Sequence, residues 1–206
     1  TQGPAQNFSL ACASGTAAIG RGYQDVRNGS VDLAIAGGVE FLRDPAGSMF
    51  RGFDLAGTLV SADDLAMDEL NRPFDKRRSG FLFSEGGAAS LVLEEYEHAV
   101  ARGAPIIAEV CSYGETFDAH SIMSIEESGS QIRRLINNVA SDAGLSPADI
   151  DYVNAHGTGT TLNDEIESAV IESTFGNNVL VNSTKSLLGH TIGARGAFEA
   201  LVSVLS

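Results

Sequence analysis

A chain of 206 residues with 43% apolar and 19% charged content has the composition of a globular protein able to bury a core. Its net charge of −14 argues against nucleic acid and anionic lipid as partners, and no apolar run approaches the ~18 residues of a membrane span. Two cysteines, Cys12 and Cys111, make neither a disulfide framework nor a zinc site, and Thr1-Gln2-Gly3-Pro4 opens no secretory signal, so a reduced, cytoplasmic protein is expected.

Short β-type runs alternate with helical patterns, which predicts an α/β protein. Residues 7–11 read as a strand running straight into Cys12. Residues 13–28 carry small and apolar side chains at helical spacing (Ala17, Ala18, Gly20, Gly22, Val26). Residues 31–37 are a continuous apolar run, expected as a strand buried on both faces of a mostly parallel sheet. Residues 40–80, with an acidic stretch from Asp63 to Glu69, read as an excursion over a surface rather than a separate domain. A strand follows at 88–93, then a short helix at 94–102 stopped by Gly103. Further strands are expected at 106–111, 150–155 and 179–182, and helices at 127–143, 161–174 and 193–206. The sequence opens without methionine and stops inside an apolar helical pattern, so a piece of a longer chain is expected.

Three strand ends carry reactive side chains. In Ala11-Cys12-Ala13-Ser14-Gly15 the thiol has small neighbours and a helix start beside it, whose free N–H groups and partial positive charge stabilise a thiolate. The residues alone leave two readings open, an inert buried thiol and a nucleophile. In Asn154-Ala155-His156-Gly157-Thr158-Gly159-Thr160 a histidine stands at a strand's C-terminal edge, where open α/β sheets place their sites. It is either a ligand-facing imidazole or a loop-bonding one. No Lys-Ser/Thr pair follows, which argues against a phosphate-binding loop. The third segment, Ser183-Thr184-Lys185-Ser186-Leu187-Leu188-Gly189-His190, places Lys185 and His190 near another strand end. A thiol with imidazoles that polarise a carbonyl is the set thioester chemistry requires.

Taken in this order, Ala11 to Gly15, His156 to Thr160 with Asp164 and Glu167, and Lys185 to His190 resemble the three active-site motifs of the ketosynthases, the Cys-His-His β-ketoacyl-acyl-carrier-protein synthases of the thiolase superfamily. Arg72-Pro73-Phe74-Asp75, Gly80-Phe81 and Glu85-Gly86 are similar to that family as well. The resemblance implies a thiolase-like αβαβα layered fold of two similar halves, with residues 1–103 carrying the nucleophile and 104–206 the histidines. It further implies that the first third of a family member, and a C-terminal end carrying a Gly-Phe gating loop, are missing.

By the same resemblance, Cys12 takes an acyl group from the phosphopantetheine arm of an acyl carrier protein. His156 and His190 hold the malonyl thioester carbonyl as carbon dioxide leaves, and Lys185 supports them. Thr158 and Thr160 contact the pantetheine arm, and Asp164 and Glu167 order the loop from behind. No metal and no cofactor of its own is implied; the substrates ride on 4'-phosphopantetheine in fatty acid or polyketide synthesis. The assembly implied is a homodimer or a ketosynthase-type heterodimer.

Some positions depart from the family pattern. Ser121 and Met123 stand where relatives often have histidine and threonine, Ser84 replaces a common glycine, Ser79 a common aspartate, and Arg195 a small residue. The acidic stretch stands where relatives carry an arginine that meets the carrier. A thiolase requires a second catalytic cysteine, which Cys111 does not fit, and His190 argues against a Cys-His-Asn enzyme. The alternative is a non-catalytic, tunnel-shaping partner subunit, against which Cys12 counts.

Overall fold

The computed structural model describes residues 3–61, 65–66, 69–121 and 124–206. Met123 and most of the acidic stretch (Asp63, Asp64 and Asp68) lie outside them. In chain order the elements are α1 (Ser14–Arg27), β1 (Leu33–Phe41), α2 (Ser48–Leu55), β2 (Gly86–Glu94), α3 (Tyr96–Ala101), α4 (Ser130–Asp142), β3 (Tyr152–Asn154), α5 (Thr161–Phe175), β4 (Leu180–Asn182), α6 (Lys185–Leu188) and α7 (Arg195–Leu205). The chain is mixed α/β, as expected, and divides into two compact units. One comprises residues 1–42, 85–113 and 191–206; the other comprises 43–84 and 114–190.

In the first unit β1 and β2 form an antiparallel pair, with Leu33 opposite Glu94 and Phe41 opposite Gly86. This corrects the parallel, doubly buried strand expected at 31–37. Alternation along the strand explains the difference. Ala36, with Ala89 of β2, packs against Ile19 of α1 and Ala197 of α7, joined by Leu91, Leu93, Phe198 and Leu201. Ile35, Val39, Phe41 and Val92 point the other way and are largely exposed. The helices α1 and α7 approach so closely that a Cβ on Gly15 would stand 2.7 Å from the Ala197 nitrogen, so glycine is required there.

Two expected strands are absent. Residues 7–10 carry no regular element, and residues 11–13 form a 3-10 turn leading into α1. Residues 106–111 are likewise irregular, with Ile107 71% exposed. A strand exists only where its backbone groups find a ladder, and no described residue offers one to either segment. The helix at 94–102 shortens to α3, whose first turn is capped by Glu95 accepting from the His98 nitrogen at 2.7 Å.

In the second unit β3 and β4 pair in parallel, Val153 opposite Val181, and each strand ends at a turn leading into a helix. Ile166, Val170 and Ile171 are the buried stripe of α5. The segment expected as irregular at 40–80 holds α2, which local pattern did not reveal. Its Phe53 packs on Phe81 and Phe83 with ring centroids 5.6 Å apart, and Phe50 meets Phe83 edge-on at 5.7 Å. No helix among the described residues is long and apolar enough to cross a membrane.

Candidate functional site

Cys12 belongs to the first unit. It sits half-buried in the 3-10 turn at the head of α1. Ala11 before it has φ +47, a region that costs a non-glycine residue roughly 1–3 kcal/mol and persists only when the surroundings impose it. Ser14 does so from inside the helix: its hydroxyl accepts from the Leu10 nitrogen at 2.8 Å and donates to the Ala11 carbonyl at 2.7 Å. Cys111, in contrast, is exposed on irregular chain.

In the same unit Gly193 donates its N–H to the Glu40 carboxylate at 3.0 Å, fixing the turn that opens α7. Arg195 is fully buried there and pairs with Glu199 at 3.0 Å. Burial lowers the pKa of its guanidinium, and Glu199 opposes that shift. A large cation thus occupies a position where the resemblance expected a small side chain.

The second unit holds His156 and His190. Ala155 closes the β3–β4 ladder by donating to the Asn182 carbonyl at 2.8 Å, and the turn from His156 to Thr160 begins there. Gly157 and Gly159 have φ of +40 and +83. A Cβ on Gly157 would lie 2.5 Å from the Ser183 Cβ, so only glycine fits.

The turn is held from behind by two carboxylates one helical turn apart on α5. Glu167 accepts from the nitrogens of His156 and Gly157, each at 2.7 Å. Asp164, 2% exposed, accepts from the nitrogens of Thr158 at 3.0 Å and Gly159 at 3.1 Å. Burial raises the Glu167 pKa, and the two N–H donors, Asn163 and Lys185 pull against that shift.

Lys185 is fully buried at the start of α6. Its ammonium lies 2.5 Å from the His156 carbonyl oxygen and 3.4 Å from His156 Nδ1. With Nδ1 facing a group that only donates, the imidazole proton is assigned to Nε2. His190, 1% exposed, packs edge-on against Phe81 at 5.0 Å and against the His156 ring at 5.8 Å. Its backbone is pinned at both ends, donating to Leu82 at 2.8 Å and accepting from Ser84 at 3.3 Å. Thr158 and Thr160 join their hydroxyls at 2.7 Å.

The structure therefore brings His156, His190, Lys185, Thr158, Thr160, Asp164 and Glu167 together in one unit, and presents Cys12 on a strained turn of the other. Three contributors were given no role by the motif reading, although Ser183 and Phe74 lie inside the segments it named. Ser183 donates to the Gly157 carbonyl at 2.7 Å, the Phe74 nitrogen donates to Asp164 at 2.7 Å, and Arg78 pairs with Asp164 at 3.7 Å. The available signal was a general one: a carboxylate buried in the first turn of a helix requires donors and a cation.

Residues 1–99 match the N-terminal domain of beta-ketoacyl synthase and residues 107–206 match the C-terminal domain. The chain is 41% identical to 3-oxoacyl-(acyl-carrier-protein) synthase 2 of Vibrio cholerae over 100% of its own length and 50% of that protein's. It is 39% identical to the mitochondrial 3-oxoacyl-(acyl-carrier-protein) synthase of Arabidopsis thaliana, over 100% of this chain and 45% of the relative. It spans about half the length of the curated relatives it matches. Among solved structures, a type II polyketide ketosynthase in complex with its acyl-carrier protein matches with a TM-score of 0.93 and 33% identity, over 98% of this chain and 50% of that one. A beta-ketoacyl synthase from Burkholderia phymatum matches with a TM-score of 0.84 and 42% identity, over 96% of this chain and 47% of that one. With both family domains found in order along its length, and solved ketosynthases following its backbone closely, the chain belongs to the β-ketoacyl synthase family and has its thiolase-like fold.

Proposed function

We propose that this chain carries the catalytic residues of a β-ketoacyl-acyl-carrier-protein synthase, an acyltransferase that joins an acyl thioester to malonyl-acyl-carrier protein with loss of carbon dioxide. The observation that carries the proposal is the buried Lys185 beside His156, which leaves the His156 proton on Nε2 as a donor of the kind an enolate requires, with the His190 ring packed edge-on against it.

In this reaction the Cys12 thiolate attacks the acyl thioester carbonyl, and the pantetheine sulfur leaves as a thiolate that takes a proton from water. The malonyl thioester then loses carbon dioxide. Its carbonyl oxygen takes the developing negative charge and accepts hydrogen bonds from His156 and His190. The carbanion attacks the acyl-cysteine carbonyl, expelling the Cys12 thiolate and leaving a β-ketoacyl product. Lys185 holds His156 in its donor tautomer, Thr158 and Thr160 line the pantetheine path, and Asp164 and Glu167 fix the turn. The enzyme uses no cofactor of its own, meets an acyl carrier protein in the cytoplasm, and works as a homodimer or as a heterodimer with a tunnel-shaping subunit. The halves 1–103 and 104–206 divide the chemistry between nucleophile and histidines.

Solved neighbours include a ketosynthase paired with a chain length factor. That pairing keeps a second reading, a non-catalytic partner, in view; Cys12 speaks for the catalytic one. The test is release of carbon dioxide from malonyl carrier protein by the complete gene product. Turnover supports the enzyme; a protein that neither acylates nor decarboxylates is the partner.

A further inference from the structure

We propose that Arg78 is a positioning residue for the His156–Thr160 turn, acting through Asp164; its catalytic consequence rests on the ketosynthase reading above. Asp164 is a buried carboxylate that gathers four N–H groups from two distant stretches of chain: Thr158, Gly159, Phe74 and the side chain of Asn163. A charge so desolvated requires a compensating cation, and Arg78 supplies it, with Nε 3.7 Å from Oδ2 and a side chain 17% exposed.

The guanidinium does more than neutralise. Its Nη2 donates to the Thr161 carbonyl at 2.8 Å, its Nε to the Thr160 carbonyl at 3.4 Å, and its Nη1 to the Asp75 carbonyl at 3.1 Å. One planar fork thus fastens the carboxylate, the head of α5, and its own stretch of chain. That stretch in turn lays Phe74 against the turn: a Cβ on Gly157 would meet the Phe74 ring at 2.8 Å. A lysine offers the charge from a single point and cannot reproduce the fork.

Without Arg78, Asp164 loses the cation that faces it and the fork that ties it to the head of α5, which loosens its hold on Thr158 and Gly159. His156 then loses the fixed path of the chain that follows it. The role is one of positioning, so it shows in the rate of chemistry and in the order of the turn rather than in substrate affinity.

The experiment uses the complete gene product with Arg78→Met, Arg78→Lys and Asp164→Asn, read by malonyl-carrier decarboxylation and by amide exchange. Arg78→Met should lower kcat about 10- to 100-fold with KM little changed. It should speed exchange at Thr158 and Gly159 while leaving α4 protected. Arg78→Lys should recover only part of the rate, and Arg78→Met combined with Asp164→Asn should be no worse than the poorer single variant. Should Arg78→Met fail to fold, the lysine and asparagine variants carry the same readouts. Wild-type kcat with wild-type exchange in Arg78→Met overturns the proposal, as does full recovery by lysine. A wild-type protein inert toward malonyl carrier would sink the ketosynthase reading instead, while exchange at Thr158 and Gly159 would still decide the role of Arg78.

Discussion

The ammonium of Lys185 touches one residue twice, at the carbonyl oxygen of His156 and at Nδ1 of its ring. A fully buried cation directed at a histidine sets the tautomer as well as the position of the ring. Replacing Lys185 by Met should therefore lower malonyl decarboxylation about 10- to 100-fold. Cys12, on the other unit, should still take an acyl group. Equal loss of both steps would show that Lys185 acts on the fold as a whole.

The histidines should separate the two half-reactions. His156→Ala and His190→Ala are expected to suppress decarboxylation while leaving some acylation of Cys12, which stands on the turn at the head of α1 in the other unit. Single-turnover assays of the two steps decide it. Normal carbon dioxide release from both variants would contradict their role as donors to the enolate.

The turn after β3 should tolerate no side chain at position 157. Gly157→Ala puts a Cβ 2.5 Å from the Ser183 Cβ in a conformation with φ +40. A destabilisation of about 1–3 kcal/mol is expected from the backbone alone. Urea unfolding measures it, and an unchanged midpoint would mean that the turn relaxes freely.

Glu167 gives a pH signature of definite sign. Its pKa is raised in the fold because burial disfavours the carboxylate, so the native state binds the proton more tightly than the unfolded chain. Relative to Glu167→Gln, wild-type stability should fall as pH climbs from the ordinary carboxylate value through the raised one, then level off. Denaturant midpoints across that window test it. A difference that grows with pH would reverse the assignment.

Local pattern carried much of this in advance. The helices α1, α4, α5 and α7 followed from small-residue spacing and glycine stops, and the positions of His156 and Lys185 just past strand ends were legible from their turns, whereas His190, expected near a strand end, follows α6. What failed was non-local. Residues 106–111 have every local mark of a strand, yet a strand also requires a neighbour, which periodicity cannot supply. The same applies to β1, whose apolar run could not reveal an antiparallel partner with one face exposed. α2 was hidden because its aromatic residues pack on Phe81 and Phe83, far along the chain. The bond between Arg78 and Asp164 was hidden for the same reason.

The most direct test is to incubate the complete gene product with an acyl-carrier thioester, digest it and locate the adduct by mass spectrometry. Cys12 stands on a strained turn at a helix head, whereas Cys111 lies exposed on irregular chain. A thioester on Cys12 is expected, lost in Cys12→Ala and retained in Cys111→Ala. An adduct on Cys111, or none on either thiol, would contradict the assignment of Cys12 as nucleophile.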